Sequence, residues 1–120
     1  TYCYCSKSSH FSFIIEEALK SDIYLETSSA NDVEILKVLA EKKKIDKDIY
    51  ILCNGYKQKR YTDAILEMYN RGYKNIVPIF DNMNEIEAYE QHVDGELQIG
   101  MRLAADEEPK FEFYTSRLGI

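Results

Sequence analysis

The sequence has no apolar run near the roughly 18–20 residues that cross a bilayer. Its N-terminus also lacks the basic, apolar, small-residue order of a signal peptide, so a cytoplasmic protein with no membrane partner is expected. Cysteine is scarce: Cys3, Cys5 and Cys53 are an odd set of three, the first two a strand-step apart, which disfavours a disulfide framework. Positive charge is in deficit, with 15 basic against 21 acidic residues and a net charge of −6. That balance disfavours nucleic acid and anionic lipid as partners. No low-complexity linker interrupts the chain. What is present, 45% hydrophobic and 30% charged residues over 120 positions, is the composition of one globular domain. The chain opens without methionine, directly in a strand-like stretch, and is expected to be a piece of a longer polypeptide.

Runs rich in Tyr, Ile, Val and Leu alternate with amphipathic stretches of helical length, the pattern of βα units around a parallel sheet. Five strands are predicted, at residues 2–6, 23–26, 49–53, 75–80 and 98–104. Four helices are predicted between them, at 11–20, 30–42, 61–71 and 83–91, where apolar residues recur three and four apart, as in Ile35, Leu36 and Leu39 or Ile65, Met68 and Tyr69. Ser29 with Asp32, and Asn82 with Glu85, have capping-box spacing. Gly72 marks a helix stop and Asp94-Gly95 a turn, and Pro78 falls inside the fourth strand, where it disfavours fully regular pairing. The basic runs 42–44 and 57–60 fall in loops or at helix ends, where they are expected to be solvated.

Strand alternation sorts the side chains. Tyr2, Tyr4 and Ser6 face one way, and Cys3, Cys5 and Lys7 the other. Ile23 and Leu25 take the helix side of the second strand, leaving Tyr24 and Glu26 on the polar side. In the last strand Ile99, Met101 and Leu103 suit the helices, and Gln98, Gly100 and Arg102 the opposite face. Three strand ends therefore offer Lys7, Glu26 and Arg102. A sheet crevice accepts such charges only where they neutralise or bond one another. A lysine held beside a carboxylate and small neighbours has an amine suited to Schiff-base formation with an aldehyde, the route by which pyridoxal phosphate is held. A receiver-like signalling domain also suits this length but needs an Asp ending the third strand and a Lys ending the fifth, where Cys53-Asn54 and Arg102 stand. A metal site at Cys3, Cys5 and His10 lacks the Cys-x2-Cys turn and a fourth ligand.

The string YCYCSKSSH at 2–10 resembles the lysine-bearing strand of the fold-type III, alanine racemase-like pyridoxal phosphate enzymes. LETSSANDVEIL from Leu25 is similar to the second strand and helix start of the basic amino-acid and diaminopimelate decarboxylases, with Glu26, Ser29 and Asp32 at the acid, serine and acid positions. ILCNGYK at 51–57 resembles a loop of the biosynthetic arginine decarboxylases, IGMRLA at 99–104 the arginine-bearing strand of the whole group and the closing SRLGI its Ser-Lys-Phe-Gly segment. KSSHF after the lysine with EEPKFEFYTSRLG after the arginine strand is closest to the arginine decarboxylases. The resemblance spans nearly the whole chain in order and spacing.

It implies a partial (β/α)8 TIM barrel, with about five parallel strands and four helices present and the site at the C-terminal strand ends. It implies pyridoxal 5'-phosphate as cofactor, with Lys7 carrying it, Glu26 pairing with Lys7, Arg102 near the phenolic oxygen, and His10 and Asn54 as further cofactor-binding candidates. The implied reaction is decarboxylation of a basic amino acid, arginine to agmatine in polyamine biosynthesis, by a homodimeric full-length enzyme. Ornithine, lysine or diaminopimelate as substrate, or a non-catalytic regulator on the same fold, are the alternatives. Two departures stand out: Glu26 where ornithine decarboxylases carry Asp, which leans toward arginine, and Arg117-Leu118 in place of Lys-Phe. A whole barrel takes about 250 residues, so the family's phosphate-binding segment, pyridine-nitrogen acid and C-terminal β domain are expected outside these residues.

Overall fold

The computed structural model describes residues 2–90, 93 and 95–103. Its strands are β1 (Cys3–Cys5), β2 (Tyr24–Thr27), β3 (Ile51–Cys53), β4 (Ile76–Phe80) and β5 (Gly100–Met101). Between them run α1 (Ser12–Ala18), α2 (Ala30–Glu41), α3 (Lys59–Asn70) and α4 (Asn84–Glu90), and a 3-10 turn at Ser6–Ser8 follows β1. Every strand pairs in parallel with the next, in the order β1-β2-β3-β4-β5. This is the α/β architecture read from the alternation. The sequential order has no reversal, unlike the 2-1-3-4-5 order of flavodoxin-like and receiver-like sheets, and so removes the signalling-domain alternative.

Parallel partners share a face, so the register sorts the sheet into two sides. Tyr4, Leu25, Ile51 and Ile76 form one row. Leu25, Ile51 and Ile76 are fully buried and belong to one core with Val33, Leu36 and Leu39 of α2 and Ile65 and Met68 of α3. Cys5, Glu26, Leu52 and Val77 form a row on the other side, where Cys5, Glu26 and Leu52 are half-buried. Helices therefore cover one face, and the second face is only partly shielded.

Local chemistry sets the ends of the elements. The Ser29 hydroxyl accepts from the Asp32 backbone N–H at 3.3 Å, the expected N-cap of α2. α3 ends in a Schellman motif: the Gly72 N–H donates to Tyr69 O at 3.0 Å and the Tyr73 N–H to Met68 O at 3.2 Å, with Gly72 at φ 99°. α2 ends the same way, but the left-handed residue is Lys43, at φ 55°.

Three expectations need correction. The second capping box does not form: α4 begins at Asn84, and Asn82 instead donates from Nδ2 to Glu85 Oε1 at 3.4 Å. β1 ends at Cys5 because the Ser6 hydroxyl donates to Glu26 O at 3.0 Å and the Ser9 N–H closes on Ser6 O, turning the chain out of the strand. Strand alternation consequently does not govern Lys7. The fourth strand does run through Pro78 as expected, and pairing with β5 begins only beyond it, at Ile79–Gly100. Lys57 belongs to the interior, although its basic run was expected in solvent. Gln91, Asp94, Ala104 and the EEPKFEFYTSRLG and SRLGI segments with Arg117 and Leu118 lie outside the described residues. Among the described residues no helix is long and apolar enough to cross a membrane.

Candidate functional site at the strand ends

Because every strand runs the same way, the C-terminal ends align along one edge of the sheet and bring together residues far apart in sequence. In spatial order these are Lys7 after β1, Glu26 within β2, Asn54 after β3, Asp81 after β4 and Arg102 after β5.

Lys7 sits on the exposed 3-10 turn that Ser6 fastens to β2. Its side chain enters no hydrogen bond or ion pair among the described residues. Glu26 is half-buried on the shielded-poor face, paired in register with Cys5. Its Oε1 accepts from Asn54 Nδ2 at 3.4 Å and from the Cys5 thiol at 3.8 Å. Asn54 is itself fixed: its backbone N–H donates to Thr27 O at 2.8 Å, and its Oδ1 accepts from the Gly55 N–H at 2.9 Å. The structure thus joins Glu26 to Asn54, while the Glu26 carboxylate and Lys7 amine lie on neighbouring strand ends without an ion pair between them.

Arg102 is anchored by its backbone N–H, which donates to Phe80 O at 2.9 Å across the β4–β5 junction. Its Nη1 lies 3.6 Å from Asp81 Oδ1, and its side chain stays 41% exposed. The neighbouring Gly100 has no room for more: an added Cβ would lie 2.4 Å from Ile79 Cδ1, so the Ile79 side chain occupies the space above β5.

His10 goes elsewhere. Its Nε2 meets Asp32 Oδ1 at 2.8 Å, and the other Asp32 oxygen accepts from the Ser28 N–H at 2.8 Å and the Ser28 hydroxyl at 3.2 Å. Burial pushes the Asp32 carboxyl up, but the hydrogen bonds from Ser28 and His10 outweigh it and hold it below the usual carboxylate range. His10 is therefore tied to the first turn of α2, not to Glu26 or Arg102.

Cys53 and Cys3 are held as thiols. Burial pushes the Cys53 thiol up to about 12, and burial followed by the charge of Glu26 raises Cys3. Among the described residues no group of three or more His, Cys, Asp or Glu could hold a metal ion.

Sequence reading missed Asp81. Its signal was available, since it directly follows a strand as Asn54 does, but the apparent capping pair at Asn82 and Glu85 accounted for the local polarity. The edge as a whole offers an unpaired amine, a half-buried carboxylate held by an amide, and a partly exposed guanidinium. That set can bind an anionic ligand and form an imine with an aldehyde. Comparison with protein-family models, curated proteins and solved structures yields no match for this chain.

Proposed function

We propose that this chain is part of a pyridoxal phosphate-dependent decarboxylase of basic amino acids, with arginine as substrate and agmatine as product. One observation carries the reading: Lys7, Glu26 and Arg102, the residues singled out by resemblance to the fold-type III decarboxylases, stand at the C-terminal ends of β1, β2 and β5 on one edge of a sequential parallel sheet. Such an edge is where (β/α)8 enzymes carry their chemistry. Sequential order and one-sided helix cover both suit a segment of that barrel, and the reading requires three further strands from the full chain. A homodimeric enzyme of the cytoplasm goes with it.

The donor set suits the ring end of the cofactor. Lys7, whose amine has no competing partner among the described residues, would bond the cofactor's aldehyde carbon. Arg102, with donors left over from its contact with Asp81, would hold an anionic oxygen. Bound there, pyridoxal phosphate supplies the electron sink for loss of carbon dioxide. Glu26, steadied by Asn54 and Cys5, would set a carboxylate beside the ligand at the second strand end. Leu52 and Val77, on the same face, supply apolar lining beside these groups.

The test is agmatine formation from arginine by the full chain, beside ornithine, lysine and diaminopimelate. Arginine is expected to be turned over fastest, and Lys7→Ala to lower the rate by several orders of magnitude. Undiminished turnover in Lys7→Ala would remove Lys7 from its role, and turnover of none of the four substrates would sink the decarboxylase reading.

A further inference from the structure

Asp81 is buried, with 5% of its side chain exposed, yet neither carboxylate oxygen has a hydrogen-bond donor among the described residues. Leaving a charge in that condition costs several kcal/mol unless something compensates it. The neighbouring polar groups are already committed. Lys57, the nearest buried cation in the β3–α3 loop, directs its amine to Gly55 O at 2.8 Å, to Ile79 O and to Glu85 Oε2 at 3.2 Å. The Glu85 carboxylate in turn faces the backbone N–H groups of Lys57 and Asp81. Among the described residues, what remains for the Asp81 side chain is Arg102, within ion-pair range at 3.6 Å but short of hydrogen-bond contact.

Backbone geometry makes that pairing directional. The Arg102 N–H on Phe80 O fixes the end of β5 against the end of β4, so the carboxylate of the next residue, Asp81, lies beside the arginine side chain. A guanidinium has five N–H donors. One edge turned to a buried acid leaves the others free for a ligand, on a side chain that is 41% exposed.

We infer that Asp81 is a positioning residue for Arg102, a buried carboxylate that orients the guanidinium so that its free donors meet an anionic oxygen of the ligand held at Lys7. The inference rests on the cofactor reading given above. Ligand binding draws the guanidinium into full hydrogen-bond contact with Asp81, which satisfies the orphaned oxygens in the loaded state.

The experiment compares wild-type full chain with Asp81→Asn, Asp81→Glu and Arg102→Ala after loading with pyridoxal phosphate, reading the pH titration of the lysine-bound cofactor's visible absorbance. The charged groups around Asp81 are Arg102, Glu85 and Lys57, and the last two are unchanged in every variant. Arg102→Ala removes a cation beside the titrating centre and raises its midpoint, by about one pH unit or more. If Asp81 positions Arg102, Asp81→Asn shifts the midpoint in the same direction, and Asp81→Glu restores part of it. If Asp81 only tempers the charge of an arginine already fixed, Asp81→Asn lowers the midpoint, and the inference is overturned. An unchanged midpoint, or loss of fold in both Asp81 variants, also overturns it, because the role is then structural. A wild-type chain with no cofactor on Lys7 is a different result: it defeats the parent reading, and this inference with it.

Discussion

Two lysines of this chain show how far environment separates one residue type from itself. Lys7 is exposed and has no ion-pair partner among the described residues, whereas the Lys57 side chain is fully buried, beside Glu85 and over the Phe80 ring at 5.6 Å from its centroid. An ammonium has three N–H donors, and those of Lys57 are spent on Gly55 O, Ile79 O and Glu85, so it links the β3–α3 loop to the end of β4 and is no candidate nucleophile. Breaking such a pair by removing one partner leaves a buried charge uncompensated. Lys57→Ala is therefore expected to destabilise the protein by about 3–5 kcal/mol, and the double change Lys57→Met with Glu85→Leu to cost far less. Urea unfolding of the three chains checks this; a Lys57→Ala loss below about 1 kcal/mol would show the pair to be dispensable. Nothing in the sequence marked Lys57 for the interior. Its run of basic neighbours reads as a solvated loop, and only the fold-back of that loop onto α4 and β4 reveals otherwise.

Among elements, the start of α2 was the most legible part of the chain, and it was legible for a local reason. Ser29 and Asp32 are three residues apart, so cap and first turn are encoded within one short segment. What spacing did not encode is the long-range partner, His10, which crosses from the β1–α1 loop to the same carboxylate. The same spacing failed at Asn82 and Glu85, where Glu85 is drawn to Lys57 and α4 starts one residue later than expected, at Asn84. The Asp32 carboxyl, held below the usual range in the folded protein, stabilises the fold above its unfolded value of about 3.9, and that contribution is lost as pH falls through the folded value. Asp32→Asn is thus expected to lower stability by about 1–3 kcal/mol near neutral pH. The deficit should shrink as the pH falls below about 4, as followed by urea unfolding across that range. A deficit independent of pH would assign the loss to packing and not to the ionised carboxylate.

At the scale of the whole molecule, number, type and order of elements were readable because each βα unit carries its own period, and the parallel register then set the faces as alternation implied for Cys3, Cys5, Glu26 and Leu25. Strand extents were less readable. β5 is confined to Gly100–Met101, where Gly100 yields its space to the Ile79 side chain, a contact that no local pattern announces. Of the site, Lys7, Glu26, Asn54 and Arg102 reach one edge by topology, His10 is diverted to Asp32, and Asp81 emerges only from its lack of a donor. The central claim is that this edge binds pyridoxal phosphate through Lys7. Its most direct test is the intact mass of the purified full chain incubated with the cofactor, before and after borohydride reduction, with the modified peptide sequenced. The account predicts one reduced cofactor per chain, on Lys7 and lost in Lys7→Ala. A chain that acquires no adduct, or carries it on Lys57 or another lysine, would contradict it.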